Sequence, residues 1–278
     1  MNSLMVTIGT DPELFLKDQA GNFVSAHDLI PGSKQKPHMV PHGAIQPDGV
    51  AAEFNTRPAV TCEEFLTNVD EVIKSLESTF KAIRPDLVVA ITPTATFDRE
   101  YFDSLPQHAT ELGCTPDFNA YTGKQNEPPS TTEPFRTGAG HFHLGWGKFK
   151  TTNPVHFQKC RELVMSLDTV LYFASLLWDD DDKRRSLYGK IGAFRPKNYG
   201  VEYRPLSNAY LQSEATKRLA FNITKSVADL YLNHDKRLYE DSFAREMVSM
   251  VLEGGTPDHL TICEYLAYMH DTYGVVVE

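Results

Sequence analysis

The chain has 278 residues, 41% of them hydrophobic, and carries a formal charge of -10 at pH 7, which supports a full-sized core in one large domain or two small ones. The acidic balance argues against nucleic acid as primary partner and against anionic lipid, and no apolar run is long enough to span a bilayer. Met1-Asn2-Ser3 lacks leader character, and Cys62, Cys114, Cys160 and Cys263 are scattered without a CxxC pair, so a cytoplasmic chain with reduced thiols is expected.

Short strands are predicted over residues 4–8, 13–17 and 22–26, the last two joined by a turn at Gly21-Asn22. Residues 28–48, rich in Pro, Gly, His and Lys, read as a loop over the site. Thr61 and Glu64 form a capping box. Phe65, Leu66, Val69, Val72, Ile73, Leu76, Phe80 and Ile83 then recur at helical spacing until Pro85. Leu87 to Thr92 predicts a buried strand. Residues 105–137 carry many Pro, Thr, Gly and Asn and predict a long loop bordering a pocket, with Cys114 to Tyr121 as a substrate wall.

Asn153 and Pro154 start a helix whose face of Cys160, Leu163, Val164, Leu167, Val170, Leu171 and Ala174 should cover the rear of a sheet. The charged run from Asp179 to Arg185 reads as a solvated turn. Helices follow near 211–233, 239–253 and 257–273, with Thr256 and Pro257 marking the last start. The predicted class is α+β, with an antiparallel sheet, helices on its rear face and a helical C-terminus. Residues 1–210 form the core and 211–278 a helical part of the same domain.

Four segments share one pattern. Asp11 and Glu13, Glu53, His141 and His143, and Glu202 and Arg204 keep a period of two. Leu14, Leu16, Phe54, Phe142, Leu144, Val201 and Tyr203 take the opposite phase. One sheet face is therefore expected to be polar. Singly, each acid fits a surface ion pair or a turn cap; four strands in a common phase fit a site. Mg²⁺ and Mn²⁺ favour oxygen ligands and tolerate an imidazole, which points to Asp11, Glu13, Glu53 and Glu202 with His141 as metal ligands and His143 nearer substrate. Glycines around the His-x-His segment are expected to let a ligand approach the backbone. Arg195 and Arg204 suit phosphate, with Arg185 and Lys190 close in sequence and Arg136 a further anion ligand. No GxxxxGK[ST] or GxGxxG run is present, which argues against a P-loop or Rossmann site.

As an ordered set, Gly9 to Glu13, Asp48 to Asn55, Gly140 to Gly145 and Tyr188 to Arg204 resemble the phage-encoded, phiEco32-like COOH-NH2 ligases of type 2. These are a distant branch of the glutamine synthetase and glutamate-cysteine ligase superfamily. The resemblance implies a glutamine synthetase-like catalytic face and an ATP- and Mg²⁺- (or Mn²⁺-) dependent ligase that forms an amide through an acyl phosphate. It makes Glu53, Arg195 and Arg204 catalytic, places ATP near Arg185, Lys190, Arg195 and Arg204, and gives substrate contacts to His143, Arg136, Asp117 and Asn119. Either Glu53 or Asp117 takes the amine's proton. The implied partners are small-molecule or peptide carboxylates and amines, in the host cytoplasm if the chain is phage-encoded, and superfamily members sometimes assemble into rings. Two departures stand out: Asp-Pro-Glu replaces the Glu-x-Glu of glutamine synthetase, and Gly140 runs directly into His141. The competing readings are a metal-dependent hydrolase using His141 and His143, with His27, His38 and His42 as further imidazoles, and a non-catalytic phage interaction protein that kept the fold.

Overall fold

The computed structural model describes residues 3–110, 117–127 and 133–277. Among these, eleven strands form one antiparallel sheet. Its spatial order runs Gly32–Ser33, Lys36–Val40, Gly43–Asp48, Ala51–Thr56, Thr7–Lys17, Gly140–Gly145, Gly200–Tyr203, Ala193–Lys197 and Phe118–Asn119. Phe23–Val24 and Val88–Ala90 pair with the far half of Thr7–Lys17. The predicted α+β class, with a large antiparallel sheet and a helical C-terminus, is what the chain forms.

Thr7–Lys17 is one strand where two were expected. Its first half, Thr7 to Pro12, pairs with Gly140–Gly145, whereas Glu13 and Leu14 pair with Glu53 and Ala52. Pro12 has no N–H to offer a ladder and sits at this change of partner, so it does not break the strand. The expected loop over 28–48 is largely edge hairpin, formed by Gly32–Ser33, Lys36–Val40 and Gly43–Asp48. The Lys36–Val40 strand has no buried residue, so it lacks the apolar phase that would have revealed it. Leu87 is buried as predicted, but Val88 is 53% exposed because the strand lies on an edge. Residues 105–137 contain a short helix, Gln107–Thr110, and the strands Phe118–Asn119 and Phe135–Thr137. Cys114, Thr115 and Pro116 of the expected substrate wall lie outside the described residues.

The helix Cys62–Lys81 starts where Thr61 Oγ1 accepts the Glu64 N–H at 3.2 Å. The return bond differs from a capping box, because the Glu64 carboxylate takes the Val60 N–H at 2.9 Å. Ile83 falls beyond the helix end and is exposed. Asn153 caps Pro154–Leu167, which continues through a π-helical turn, Asp168–Tyr172, into Phe173–Ser175. Every residue of its predicted apolar face is buried. These helices and Glu214–His234 cover the apolar sheet face, with the Phe65 ring 5.6 Å from Phe142 and 5.1 Å from Phe221. Ser242–Leu252 and His259–Tyr273 complete the C-terminus, and Asp258, not Thr256, caps the last helix. One buried cluster includes residues from Val6 to Val275. No helix among the described residues is long and apolar enough to cross a membrane.

The run from Asp179 to Arg185 is not a solvated turn. Asp179 and Arg184 are 4% and 1% exposed, and Asp181 caps a short helix, Asp182–Leu187. Arg184 donates to the carbonyls of Pro205 and Leu206, where the chain leaves the Gly200–Tyr203 strand. A distant pair of main-chain carbonyls thus draws the guanidinium inside.

The π-helical turn presents Asp168, fully buried, to the rear of the sheet, where the Tyr203 and Tyr121 hydroxyls donate to it at 2.8 and 3.0 Å. Burial pushes this carboxyl up to about 7 from 3.8, although both hydroxyls pull the other way. The folded chain therefore holds this proton more tightly than the unfolded chain does. Its stabilising contribution is complete below pH 3.8 and is lost as the pH rises through about 7. Asp168→Asn should consequently gain on the wild type between those limits, with a slope approaching about 1.4 kcal/mol per pH unit. Urea midpoints at pH 5 and pH 8 check this; a difference that does not grow with pH contradicts it.

Candidate active site

Strand register, rather than sequence proximity, assembles the polar residues. Asp11 stands opposite His141, His143 opposite Glu202, and Glu202 opposite Arg195. Glu13 faces Glu53, which faces Gln46 on its other side. Side chains of one phase on neighbouring strands share a face, and Asp117, Tyr188 and Tyr199 join it from flanking segments. This face is largely covered: Glu202 is 1% exposed, Arg204 4% and His141 5%. A small apolar cluster of Phe15, Val50, Ala51, Ala95, Phe97 and Phe102 closes one end.

The first centre gathers Asp11, His141, His143 and Glu202. His143 Nε2 lies 2.9 Å from Asp11 Oδ2, and His141 Nδ1 lies 3.3 Å from Asp11 Oδ1 and 3.6 Å from Glu202 Oε1. Three cations surround Glu202. Arg195 reaches it at 3.1 Å, Lys197 Nζ at 2.6 Å, and Arg204 bonds it directly. Arg204 also donates to Asp117 Oδ2 at 2.9 Å and to the Tyr188 hydroxyl, which meets His141 Nε2 at 3.2 Å. The Tyr199 hydroxyl bonds His143 Nδ1.

Charge compensation sets the protonation states here. Burial opposes ionisation of Asp11, yet His143 and His141 hold it well below the usual carboxylate range. Burial and Asp11 push Glu202 upward, but His141, His143 and Lys197 outweigh them and lower it. Burial, assisted by Arg204, lowers His141 to about 4, whereas Asp11 overcomes burial at His143 and raises it.

The second centre is a carboxylate cluster with little cationic relief. Burial and the nearby Asp48 push Glu13 up to about 8, even though its Oε2 accepts the Ala139 N–H at 3.1 Å. Burial, then Asp11, Asp48 and Glu13, push Glu53 well above the carboxylate range. Lys34 pairs with Asp48 at 2.7 Å. Among the described residues, Asp11 Oδ1 and Glu53 Oε2 are buried without a hydrogen-bond partner. Crowded carboxylates with unsatisfied oxygens are costly in a fold unless a cation joins them. One ligand atom each from Asp11, His143 and Glu202 lie within 4.8 Å of one another. Oxygen donors with a single imidazole fit a hard divalent ion.

Several expectations shift. His143 shares the close group with Asp11 and Glu202, and His141, which sequence reasoning put first, lies beside it at 3.3 Å from Asp11 Oδ1. Arg195, Arg204 and Asp117 join the cluster. Arg185 instead pairs with Asp179 and Asp182, and Lys190 is exposed. Arg136 donates to the carbonyls of Glu133, Phe135 and Thr110 and lies over the Phe102 ring. Asn119 shapes its own turn, accepting the N–H groups of Tyr121 and Thr122 and donating to Ile191. His42 bonds Asn68, His38 is exposed and His27 meets His108, so these imidazoles do not add to the centre. Nor does Gly140 open the backbone to a ligand: a Cβ there would lie 2.2 Å from the Ser207 carbonyl, so a chain crossing needs the glycine. Lys197 was missed, although it shares Arg195's phase along the Ala193–Lys197 strand. Tyr188, Tyr199 and Asp48 carried no local signal. A cavity of about 350 Å³ opens beside His143, lined in part by Gly9, Asn55, Thr56, Pro58 and Tyr199.

Residues 129–253 match the family of phage phiEco32-like COOH.NH2 ligases of type 2, by name enzymes that join a carboxylate to an amine. The matched stretch carries His141, His143, Arg195, Lys197, Glu202 and Arg204; Asp11, Glu13 and Glu53 precede it and reach it through strand pairing. No curated protein matches the chain.

The crowding of carboxyls in the second centre costs stability. In protein stripped of divalent ions, Glu53→Gln should raise the thermal midpoint by removing one crowded carboxyl. Calorimetry with chelator present checks this, and an unchanged or lowered midpoint counts against it.

Proposed function

We propose that the chain is an ATP- and divalent-metal-dependent carboxylate-amine ligase working through an acyl phosphate. The observation that carries the reading is the contact between the Asp11, His143 and Glu202 triad and the guanidinium groups of Arg195 and Arg204. Asp11, His143 and Glu202 would hold a Mg²⁺ or Mn²⁺ ion, with Glu13 and Glu53 available to a second; when bound, such ions neutralise charge on transferring phosphate. The set suits phosphate better than hydrolysis, because Arg195, Lys197 and Arg204 line it.

In the first step a substrate carboxylate oxygen bonds to the γ-phosphorus of ATP as the bond to the β-phosphate oxygen breaks, releasing ADP. Arg195 and Arg204 face the developing negative charge, and Glu202 and Asp117 keep Arg204 oriented before substrate arrives. In the second step the amine nitrogen bonds to the acyl carbon, phosphate leaves and the amine gives up a proton. Glu53 is the better acceptor, because one of its buried carboxylate oxygens has no hydrogen-bond partner, whereas Asp117 is tied to Arg204 and Asn126. The cavity beside His143 is the place for one substrate. The chain would act in the cytoplasm on small-molecule or peptide substrates.

With Mg-ATP and pooled acids and amines, ADP should form together with a product lighter than its two components by one water. Arg204→Lys should lower kcat by about 100-fold or more, since an ammonium cannot bridge Glu202, Asp117 and phosphate at once. Mass spectrometry and an ADP assay read both. Failure to bind Mg-ATP, or full activity in Arg204→Lys, would overturn the scheme.

A further inference from the structure

We propose a second, peripheral metal site in which His27 and His108 hold a borderline transition-metal ion such as Zn²⁺, with Asp28 orienting His27 from behind. The two imidazoles come from segments 81 residues apart, and their Nε2 atoms are 2.6 Å from each other. The rings are 4.6 Å apart at 63°, an edge arrangement that aims nitrogen at nitrogen. His27 Nδ1 lies 3.1 Å from Asp28 Oδ2. A carboxylate there takes the Nδ1 proton and leaves the Nε2 lone pair directed at His108, the tautomer that a metal-binding histidine needs.

The surroundings favour an ion over a mere ring-to-ring hydrogen bond. The His27 side chain is 18% exposed, and its segment is anchored by the backbone: the His27 main-chain N–H donates to Ser25 Oγ at 3.2 Å and the Ser25 main-chain N–H to the Tyr101 hydroxyl at 2.9 Å. Asp28 is held in the left-handed region at φ 63°, which sets its carboxylate against the His27 ring. His108 is exposed, so it can retreat and leave open positions for water. Zn–N bonds of about 2.0–2.1 Å set the two nitrogens roughly 3.4 Å apart, so His108 needs to move by less than about 1 Å. Two imidazole nitrogens suit Zn²⁺, Co²⁺, Ni²⁺ or Cu²⁺ and not Mg²⁺, which separates this site chemically from the carboxylate-rich centre. The ion would pin the turn after Phe23–Val24 to the helix Gln107–Thr110, whose last carbonyl receives Arg136.

The test is equilibrium dialysis against Zn²⁺ in excess Mg²⁺, with thermal melts of the same samples. Wild type should bind one more equivalent than His27→Ala or His108→Ala, and Zn²⁺ should raise its melting midpoint but not theirs. Asp28→Asn should keep the site with affinity lowered about 10- to 100-fold. Independently of any variant, the imidazole NMR signals of His27 and His108 in wild type should move together on adding Zn²⁺. Equal stoichiometry in wild type and both histidine variants, or unmoved imidazole signals, would overturn the proposal.

Discussion

Everything at the polar face depends on Glu202 being almost wholly buried and yet ionised. A carboxylate removed from water is tolerated only where opposite charge replaces the lost hydration. Here Arg195, Lys197 and Arg204 supply it, and His141 and His143 extend the network to Asp11. Arg204 comes from Glu202's own segment and the other contributors from neighbouring strands, so the antiparallel register is what completes the burial of this charge. The long Thr7–Lys17 strand joins both halves, carrying Asp11 to the histidines and Glu13 to Glu53.

The two centres differ in how far this compensation goes. Around Glu202 cations are plentiful, and its carboxyl and that of Asp11 stay below their usual range. Around Glu53 they are scarce, and its carboxyl and that of Glu13 rise. A fold that needed only stability would have little reason to keep the second arrangement. A site that receives cations has such a reason, and this contrast is the physical ground for reading the face as a place for metal and phosphate.

Much of this was legible in the chain. Period-two alternation located Asp11, Glu13, Glu53, His141, His143, Glu202 and Arg204 on one face, and apolar spacing located the helices that cover the other. What alternation cannot convey is how deeply a face is covered, which depends on distant segments such as Ala95 to Phe102. The exposed Lys36–Val40 strand lacked an apolar phase. Arg184 looked like surface charge because the carbonyls that bind it lie about twenty residues away. Gly140 was read for a ligand, whereas its neighbour is the Ser207 backbone. Register sets His141 opposite Asp11 and His143 opposite Glu202, and register is long-range information.

The most direct test of the central claim is anomalous diffraction from crystals soaked in Mn²⁺. The account predicts a manganese peak bonded to Asp11, His143 and Glu202. A peak elsewhere, or none there at saturating Mn²⁺, would contradict it.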